Sequence, residues 1–529
     1  MEETNKQEAE NNNFINRIVL AAVAFIKNPL NLCFIVILIL GIAVRWKYFF
    51  IESLWTDEAH YTLYGSRLTN NPLYIFDPIF GGGVYLPQIM IGIFNIFTEP
   101  FIAGRLMALT YSILGIIFAF LLGKEVKDRY VGLAFVLLYA FNHEIWFNSS
   151  RTLTDSPITT MFIISVYALV KYEKDHKLRH LIYFIIAVLA TILTKPQGYI
   201  LLPIIGFYYM IKFSLIKEER QKINLKMLIK NKYLVIGIMA VFLGIIFLRG
   251  NWIYNILKTN LTFYLDFVRL LPYMAGWPVI IFLIIGIVIA LTYQKKEYLA
   301  VLSWFMIGYL VFIIHQSFVL PRYILPMFPP VLLLAAIALY ESHVYLKILT
   351  NIQVPRILML LLVLVVVMPY YKQGEAISSQ KVYSYTGYDE AGTWLKDNEN
   401  NGYSQVFVGS TSPSTLYSGI RYHTEGGSLR STSQFKDIDE LMRYINHNST
   451  AKDFYVQLSI WEYGDYWAFP ITQELINKII SKRFEIVKIV EREIATEKGL
   501  QKAPVFLIFK YTKVTENVKT ETLNASTIS

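Results

Sequence analysis

Between about Leu30 and Tyr371 the chain is written in apolar blocks of about sixteen to twenty-two residues, separated by short polar links. A helix rises about 1.5 Å per residue, so each block is long enough, or nearly so, to cross roughly 30 Å of hydrocarbon. A soluble fold has no interior large enough to bury so many such blocks. The 529-residue chain is 55% hydrophobic and 17% charged, against roughly 25% charged in a soluble domain. Disordered, collagen-like and disulfide-framework chains are thereby excluded. The single cysteine, Cys33, allows no intrachain disulfide. The expectation is an α-helical polytopic membrane protein with a soluble C-terminal domain.

Eleven spans are expected, at about 30–50, 103–123, 130–147, 153–171, 180–194, 198–213, 233–249, 273–293, 298–314, 323–341 and 356–371. Phe14–Lys27 and Val84–Phe97 are apolar but short, and read as interfacial helices. The net charge of +10 does not imply nucleic acid, because the basic residues sit in short links between spans. With the N-terminus inside, the inner links hold 21 Lys and Arg and the outer links 10. That bias predicts a cytoplasmic N-terminus (1–29), a transmembrane domain (30–371) with an outer loop at 51–102, and an extracytoplasmic domain (372–513). The last residues, 514–529, lack any apolar period and read as a disordered tail.

In the C-terminal domain the residue spacing predicts helices over Tyr388–Asn398, Lys436–Asn446 and Gln473–Lys482. Strands are predicted over Gln405–Gly409, Phe454–Ile460, Phe484–Val490 and Val505–Tyr511, which together make a small α/β domain.

Charge at the outer ends of the spans is where chemistry would sit. Asp57 and Glu58 lie together in LWTDEAHY, with His60 two residues on. Asp155 lies in SSRTLTDSP, four residues after Arg151. Lys195, Arg249, Lys258, Arg269 and Arg322 also fall at outer ends. Ionisable groups at a membrane boundary mark a functional site by default. Blander readings stand beside each. Adjacent acids suit a solvated loop, TDSP suits a helix N-cap at Asp155, and a lone Lys or Arg at a span end suits a snorkelling anchor. No His/Cys cluster has metal spacing and no glycine-rich phosphate loop follows a strand.

Taken in order, these motifs resemble a family. LWTDEAHYTLYGSRL, YLPQIMIGIFNIF, FIAGRLMALTYSILG, RTLTDSPITTMFIISVYALV, LATILTKPQGYILLP and LPRYILPMFPPVLLL are similar to segments of the protein O-mannosyltransferase and aminoarabinose transferase group of C-type glycosyltransferases. The resemblance covers roughly residues 30–340. It implies the C-type glycosyltransferase fold and transfer of a monosaccharide, mannose or a related hexose, from a polyprenyl-phosphate or dolichyl-phosphate carrier. The acceptor is a protein, glycan or lipid at the outer face. Catalytic carboxylates carry over to Asp57, Glu58 and Asp155. Substrate-binding residues carry over to His60, Tyr85, Arg105, Arg151, Lys195, Arg249, Arg269, Arg322 and Tyr323. One departure is GGGVYLPQ, which holds no lysine where the aminoarabinose transferases have one before a proline pair, so that phosphate-binding role has no residue here.

Displacing phosphate from an anomeric carbon needs a base on the acceptor hydroxyl and cations on the leaving group. The expected assignment is Asp57 as base, Asp155 orienting the acceptor and arginines on phosphate, with inversion. The sequence points to no particular cofactor and is silent on metal dependence, since paired carboxylates could take a divalent cation. Three other readings remain. The first is another C-type transferase, an oligosaccharyltransferase or a polysaccharide-extending enzyme; an oligosaccharyltransferase would carry a WWD-type motif, which this sequence lacks although WEYGDYW at 461–467 is aromatic-rich. A transporter would place charge near the midplane, whereas the expected spans keep Lys and Arg out of their interiors. An anchored binding domain would need only one span. Sequons at Asn148, Asn260, Asn448 and Asn524 all fall on the expected outer side.

Overall fold

A computed structural model describes residue 25 and residues 27–50, 54–76, 83–216, 261–315, 319–350, 356–399, 403–421, 427–448, 451–462, 469, 471–496 and 499–513. By its contacts the chain divides into two units. Met1–Phe50 and Tyr64–Ser379 form the first, Ile51–Leu63 and Gln380–Ser529 the second.

In the first unit, helices lie at ten of the eleven expected spans; the remaining one, 233–249, and nearly all of Phe14–Lys27 fall outside the described residues. Among the described residues, six helices are long and apolar enough to cross a membrane unaided: Pro29–Trp46, Pro100–Val126, Pro196–Leu215, Leu265–Tyr293, Lys296–Ile313 and Leu358–Lys381. Two more spans are bent pairs. Arg129–Phe141 turns by 63° into His143–Ser149, and Pro321–Met327 turns by 55° into Pro329–Ser342. The helix Asp155–Asp175 carries too much charge at its ends to pass as a simple apolar span, and Leu178–Thr194 is short. Leu86–Asn95, at the position read as an interfacial helix, is a ten-residue helix. This is a multi-pass membrane protein.

Local sequence explains where these helices begin and bend. Asn28 caps the first one, its side chain accepting from Leu30 N at 3.0 Å with Pro29 in the first turn. At Asn142 the backbone leaves the helical region, and the Asn142 side chain caps the next helix through Ile145 N at 3.2 Å. The long helix Leu261–Tyr293 kinks at Gly276, whose φ of 66° is a conformation that glycine adopts without a Cβ penalty. Asn142 Nδ2 donates to Met274 O at 2.7 Å, and the Tyr370 hydroxyl donates to Ala275 O, so side chains from two other elements satisfy the backbone at the Gly276 kink. Irregular backbone inside a membrane protein needs such partners.

Arg45 stands in the last turn of the first helix, at its end and not in its interior, yet it is buried. It is 1% exposed and donates to Gly41 O, Ala140 O and Ser149 Oγ at 2.8–3.0 Å. The reason lies at the neighbouring break. Interrupting the helix after Phe141 leaves Ala140 O without its usual donor, and the guanidinium supplies one.

The second unit is a five-stranded sheet of order β2-β1-β3-β5-β4, with β1 Ser404–Val408, β2 Leu429–Ser431, β3 Asp453–Ser459, β4 Glu485–Thr496 and β5 Gly499–Thr512. β1 runs parallel to β2 and β3, and β5 is antiparallel to β3 and β4. The alternation of a half-buried strand places Phe407, Phe454, Val456, Leu507 and Phe509 on one face and Val406, Val408, Tyr455, Phe506 and Ile508 on the other. Helices Ile438–Asn448 and Gln473–Ser481 cover the first face, and Tyr388–Asn398 covers the second. All four expected strands and all three expected helices are present. The sequence reading lacked the three-residue β2, the helix Thr411–Ser418 and the helix Thr56–Asn70.

Candidate active site

The expected site residues fall in both units, and each group is built separately. In the first unit, Asp155 opens the helix Asp155–Asp175 and is 4% exposed. The N-cap reading of Asp155 does not hold. Thr154 occupies the cap position without a side-chain cap bond, and Asp155 stands in the first turn. Its Oδ1 instead lies 2.6 Å from Lys195 Nζ, in a pair whose side chains are 6% and 12% exposed. Lys195 sits between two helices in extended backbone, the conformation imposed on a residue that precedes proline. Tyr85 N donates to Leu193 O at 2.9 Å, which ties the start of Leu86–Asn95 to the segment that carries Lys195.

The approach to Asp155 is itself buried, from Ser150 at 7% to Thr154 at 0%. Arg105, 1% exposed, donates to Ser150 O at 2.8 Å. Arg151, 6% exposed, lies over the Phe147 ring. Leu325–Met327 packs on the Asp155 helix, and Pro321–Ile324 packs on His143–Ser149. That places Arg322, whose guanidinium lies over the Tyr323 ring and bonds its hydroxyl at 3.3 Å, beside the same elements. Asp155, Lys195, Tyr85, Arg105, Arg151, Arg322 and Tyr323 are therefore carried by elements that pack together. Arg269 is not among them: its exposed side chain pairs with Asp266 at 2.8 Å. Arg249 and Lys258 lie outside the described residues.

Sequence reasoning missed two buried ionisable neighbours, His143 and Glu144. His143 Nε2 stands 3.9 Å from Glu144 Oε1, and its ring meets Tyr273 edge-on. The signal was there, since the pair falls inside the expected span 130–147. Asn148, in the first sequon, is 2% exposed, and its side-chain amide donates to Glu144 O at 2.8 Å.

In the second unit, Asp57 and Glu58 occupy the first turn of Thr56–Asn70. Glu58 is fully buried, and its Oε2 accepts from Trp55 N at 3.2 Å, which is half of a capping box. Asp57 is half-buried. Thr56 Oγ1 lies 3.2 Å from Ser410 Oγ, and His60 Nδ1 lies 3.4 Å from Ser412 Oγ. Both serines follow β1. Behind them Glu462, 2% exposed, accepts from Ser410 N and the Tyr388 hydroxyl. Burial and the Glu462 carboxylate push the Tyr388 phenol well above its ordinary range. Among the described residues no group of three or more His, Cys, Asp or Glu side chains is arranged to hold a metal ion.

Residues 84–248 match a family model described as dolichyl-phosphate-mannose-protein mannosyltransferase. ArnT from Cupriavidus metallidurans, in the apo state, superposes with a TM-score of 0.56 at 12% identity, covering 93% of this chain and 98% of that one. The fold is that of the C-type glycosyltransferases. The same ArnT bound to undecaprenyl phosphate gives 0.55 at 12% identity, with 90% and 97% covered. The apo oligosaccharyltransferase of Archaeoglobus fulgidus gives 0.55 at 13% identity, covering 89% of this chain and 74% of that one. No curated protein matches the chain in sequence. The resemblance drawn from the motifs is thus borne out by a family model and by structures of two C-type glycosyltransferases.

Proposed function

We propose that the protein is a membrane glycosyltransferase that moves a monosaccharide from a polyprenyl-phosphate carrier to an acceptor at the outer face of the membrane. The observation that carries this reading is the buried Asp155–Lys195 pair, with Arg151 on the segment before it and Arg105 bonded to that segment, in a chain of this fold. So much charge at the ends of apolar helices is costly unless it serves a charged substrate. The solved ArnT with undecaprenyl phosphate supports the carrier class, and the mannosyltransferase family model supports mannose or a related hexose as the sugar. An N-terminus inside and an α/β domain outside follow from the bias in basic residues.

In the proposed reaction Asp57 removes the proton of the acceptor hydroxyl as its oxygen attacks the anomeric carbon. The bond from that carbon to the carrier phosphate breaks, and the electron pair leaves with the phosphate. Lys195 and Arg322 offset the charge that develops there, and Asp155 holds Lys195 in place. One in-line displacement inverts the anomeric configuration. Glu58 closes its own helix and is not needed as a second base.

The test is sugar transfer by membranes that express wild type, Asp57→Asn or Asp155→Asn, offered labelled polyprenyl-phosphate hexose. Transfer by wild type with an inverted product, and its loss in Asp57→Asn at equal protein level, is the expected result. A product that retains the anomeric configuration would sink the single-displacement mechanism. Absence of transfer from any polyprenyl-phosphate sugar would sink the class. An oligosaccharyltransferase is the second reading, favoured by the Archaeoglobus fulgidus superposition. It would transfer nothing from the hexose donor, but would transfer a preassembled oligosaccharide when offered that glycan on a lipid carrier.

A further inference from the structure

β1 and β3 are parallel neighbours whose chains leave in opposite directions, β1 towards β2 and β3 towards β5 and β4. In open α/β sheets the crevice beyond such carboxyl ends is the usual ligand position. Here a side chain of the protein lies at that switch point. Glu462 Oε1 accepts from Ser410 N at 2.7 Å and from Tyr388 Oη at 3.0 Å, and the residue is 2% exposed. A buried carboxylate is tolerable only when hydrogen-bonded, and these donors hold it in one place.

Two routes lead from this carboxylate to the helix that bears Asp57. Along the first, Glu462 fixes Ser410 at the start of the helix Thr411–Ser418, where Ser410 meets Thr56 at 3.2 Å and Ser412 meets His60 at 3.4 Å. The second starts one residue earlier. The Trp461 ring stacks on Tyr385 at 5.5 Å, Tyr385 lies 5.9 Å from the Trp55 ring, and Trp461 Nε1 is anchored on Thr386 O at 2.9 Å. Thr56 and Trp55 are the two residues immediately before Asp57. The contacts also account for the clustering of Ile51–Leu63 with the α/β unit, although more than three hundred residues separate them in sequence.

From this geometry we infer that Glu462 is a positioning residue for Asp57, acting through Ser410 and Thr56 without touching substrate. The inference rests on the glycosyl-transfer reading above. A base misplaced by about 1 Å costs on the order of a hundredfold in rate, so a fixed turn behind it matters.

The test uses the full chain in detergent or nanodiscs, as Glu462→Gln and Glu462→Ala. Glu462→Gln keeps size and one acceptor oxygen. Amide hydrogen exchange over residues 55–63 is expected to speed up, about tenfold or more in Glu462→Ala, while β3 and β5 stay protected. In the transfer assay kcat is expected to fall about tenfold or more at unchanged donor KM, with partial recovery in Glu462→Asp. Unchanged exchange at 55–63 in a folded Glu462→Ala protein overturns the inference. If that variant does not fold, unchanged exchange at 55–63 and unchanged kcat in Thr56→Val, which removes the contact with Ser410, overturn it equally. Full transfer by Asp57→Asn would remove the base assignment while leaving the exchange result to stand or fall alone, so the two failures are distinguishable.

Discussion

Lys195 Nζ lies 2.6 Å from Asp155 Oδ1, and both side chains are nearly buried. Forty residues of sequence, most of them in two helices, separate the partners. Breaking a buried pair leaves one charge uncompensated, typically at about 3–5 kcal/mol, whereas removing both partners costs less. Lys195→Met and Asp155→Leu are each expected to lower the unfolding temperature sharply, and the double variant by less than the sum. Thermal unfolding of the four proteins in one detergent measures the coupling. Additive losses would mean that the pair contributes nothing beyond its two desolvated ends.

Asp57 and Glu58 are neighbours with different tasks. Glu58 is buried and spends its Oε2 on Trp55 N, whereas Asp57 is half-buried. Asp57→Asn is expected to reduce sugar transfer about 10²–10⁴-fold, the usual weight of a positioned base. Glu58→Gln retains an acceptor for Trp55 N and is expected to keep transfer within about tenfold. Its cost appears in stability instead, at about 1 kcal/mol, the scale of a helix cap. Equal losses of transfer in the two variants would remove the distinction.

The same contrast shows what a sequence discloses and what it hides. The spans are legible because each must bury a continuous apolar surface, and the strands are legible because alternate residues face opposite cores. Asp155 and Lys195 could be flagged as misplaced charge, but their pairing depends on how two helices are set side by side. The helix Thr56–Asn70 has only a thin apolar stripe, Ala59, Leu63 and Leu68. It is held by the Glu58 cap, by serines that lie far away in sequence and by close packing of Gly65 and Leu68 on Leu86–Asn95, so no strong local period announces it. Arg269 and Lys195 look alike as span-end cations, yet only the fold exposes the first and buries the second.

Arg45 answers a need created elsewhere, the carbonyl of Ala140 released by the break at Asn142. Arg45→Met is expected to destabilise the first unit by about 1–3 kcal/mol, the cost of an unsatisfied buried acceptor. Arg45→Lys keeps the charge but not the fork that reaches Gly41 O, Ala140 O and Ser149 Oγ together, so it should fall between the two. Unfolding temperatures in nanodiscs would rank the three proteins. A Lys variant as stable as wild type would show that charge alone suffices at the break.

Tyr388 gives the second unit a pH dependence whose sign can be worked out. Its phenol donates to Glu462 at 3.0 Å, and burial beside that carboxylate raises its pKa well above the ordinary value. An unfolded tyrosine ionises near pH 10, roughly. Below that pH both states keep the proton, and this part of the stability is fully present. As the pH rises past it, the unfolded chain releases its proton before the folded one does, so the unfolded state is favoured and stability falls. Tyr388→Phe removes the titrating group. It is expected to be less stable at neutral pH, because Glu462 loses a donor, and to lose less of its remaining stability between about pH 9 and 11. Denaturation followed by a probe in the α/β unit across that range tests it. Parallel pH curves for the two proteins would show that Tyr388 titrates alike in both states and that its bond to Glu462 is not kept in solution.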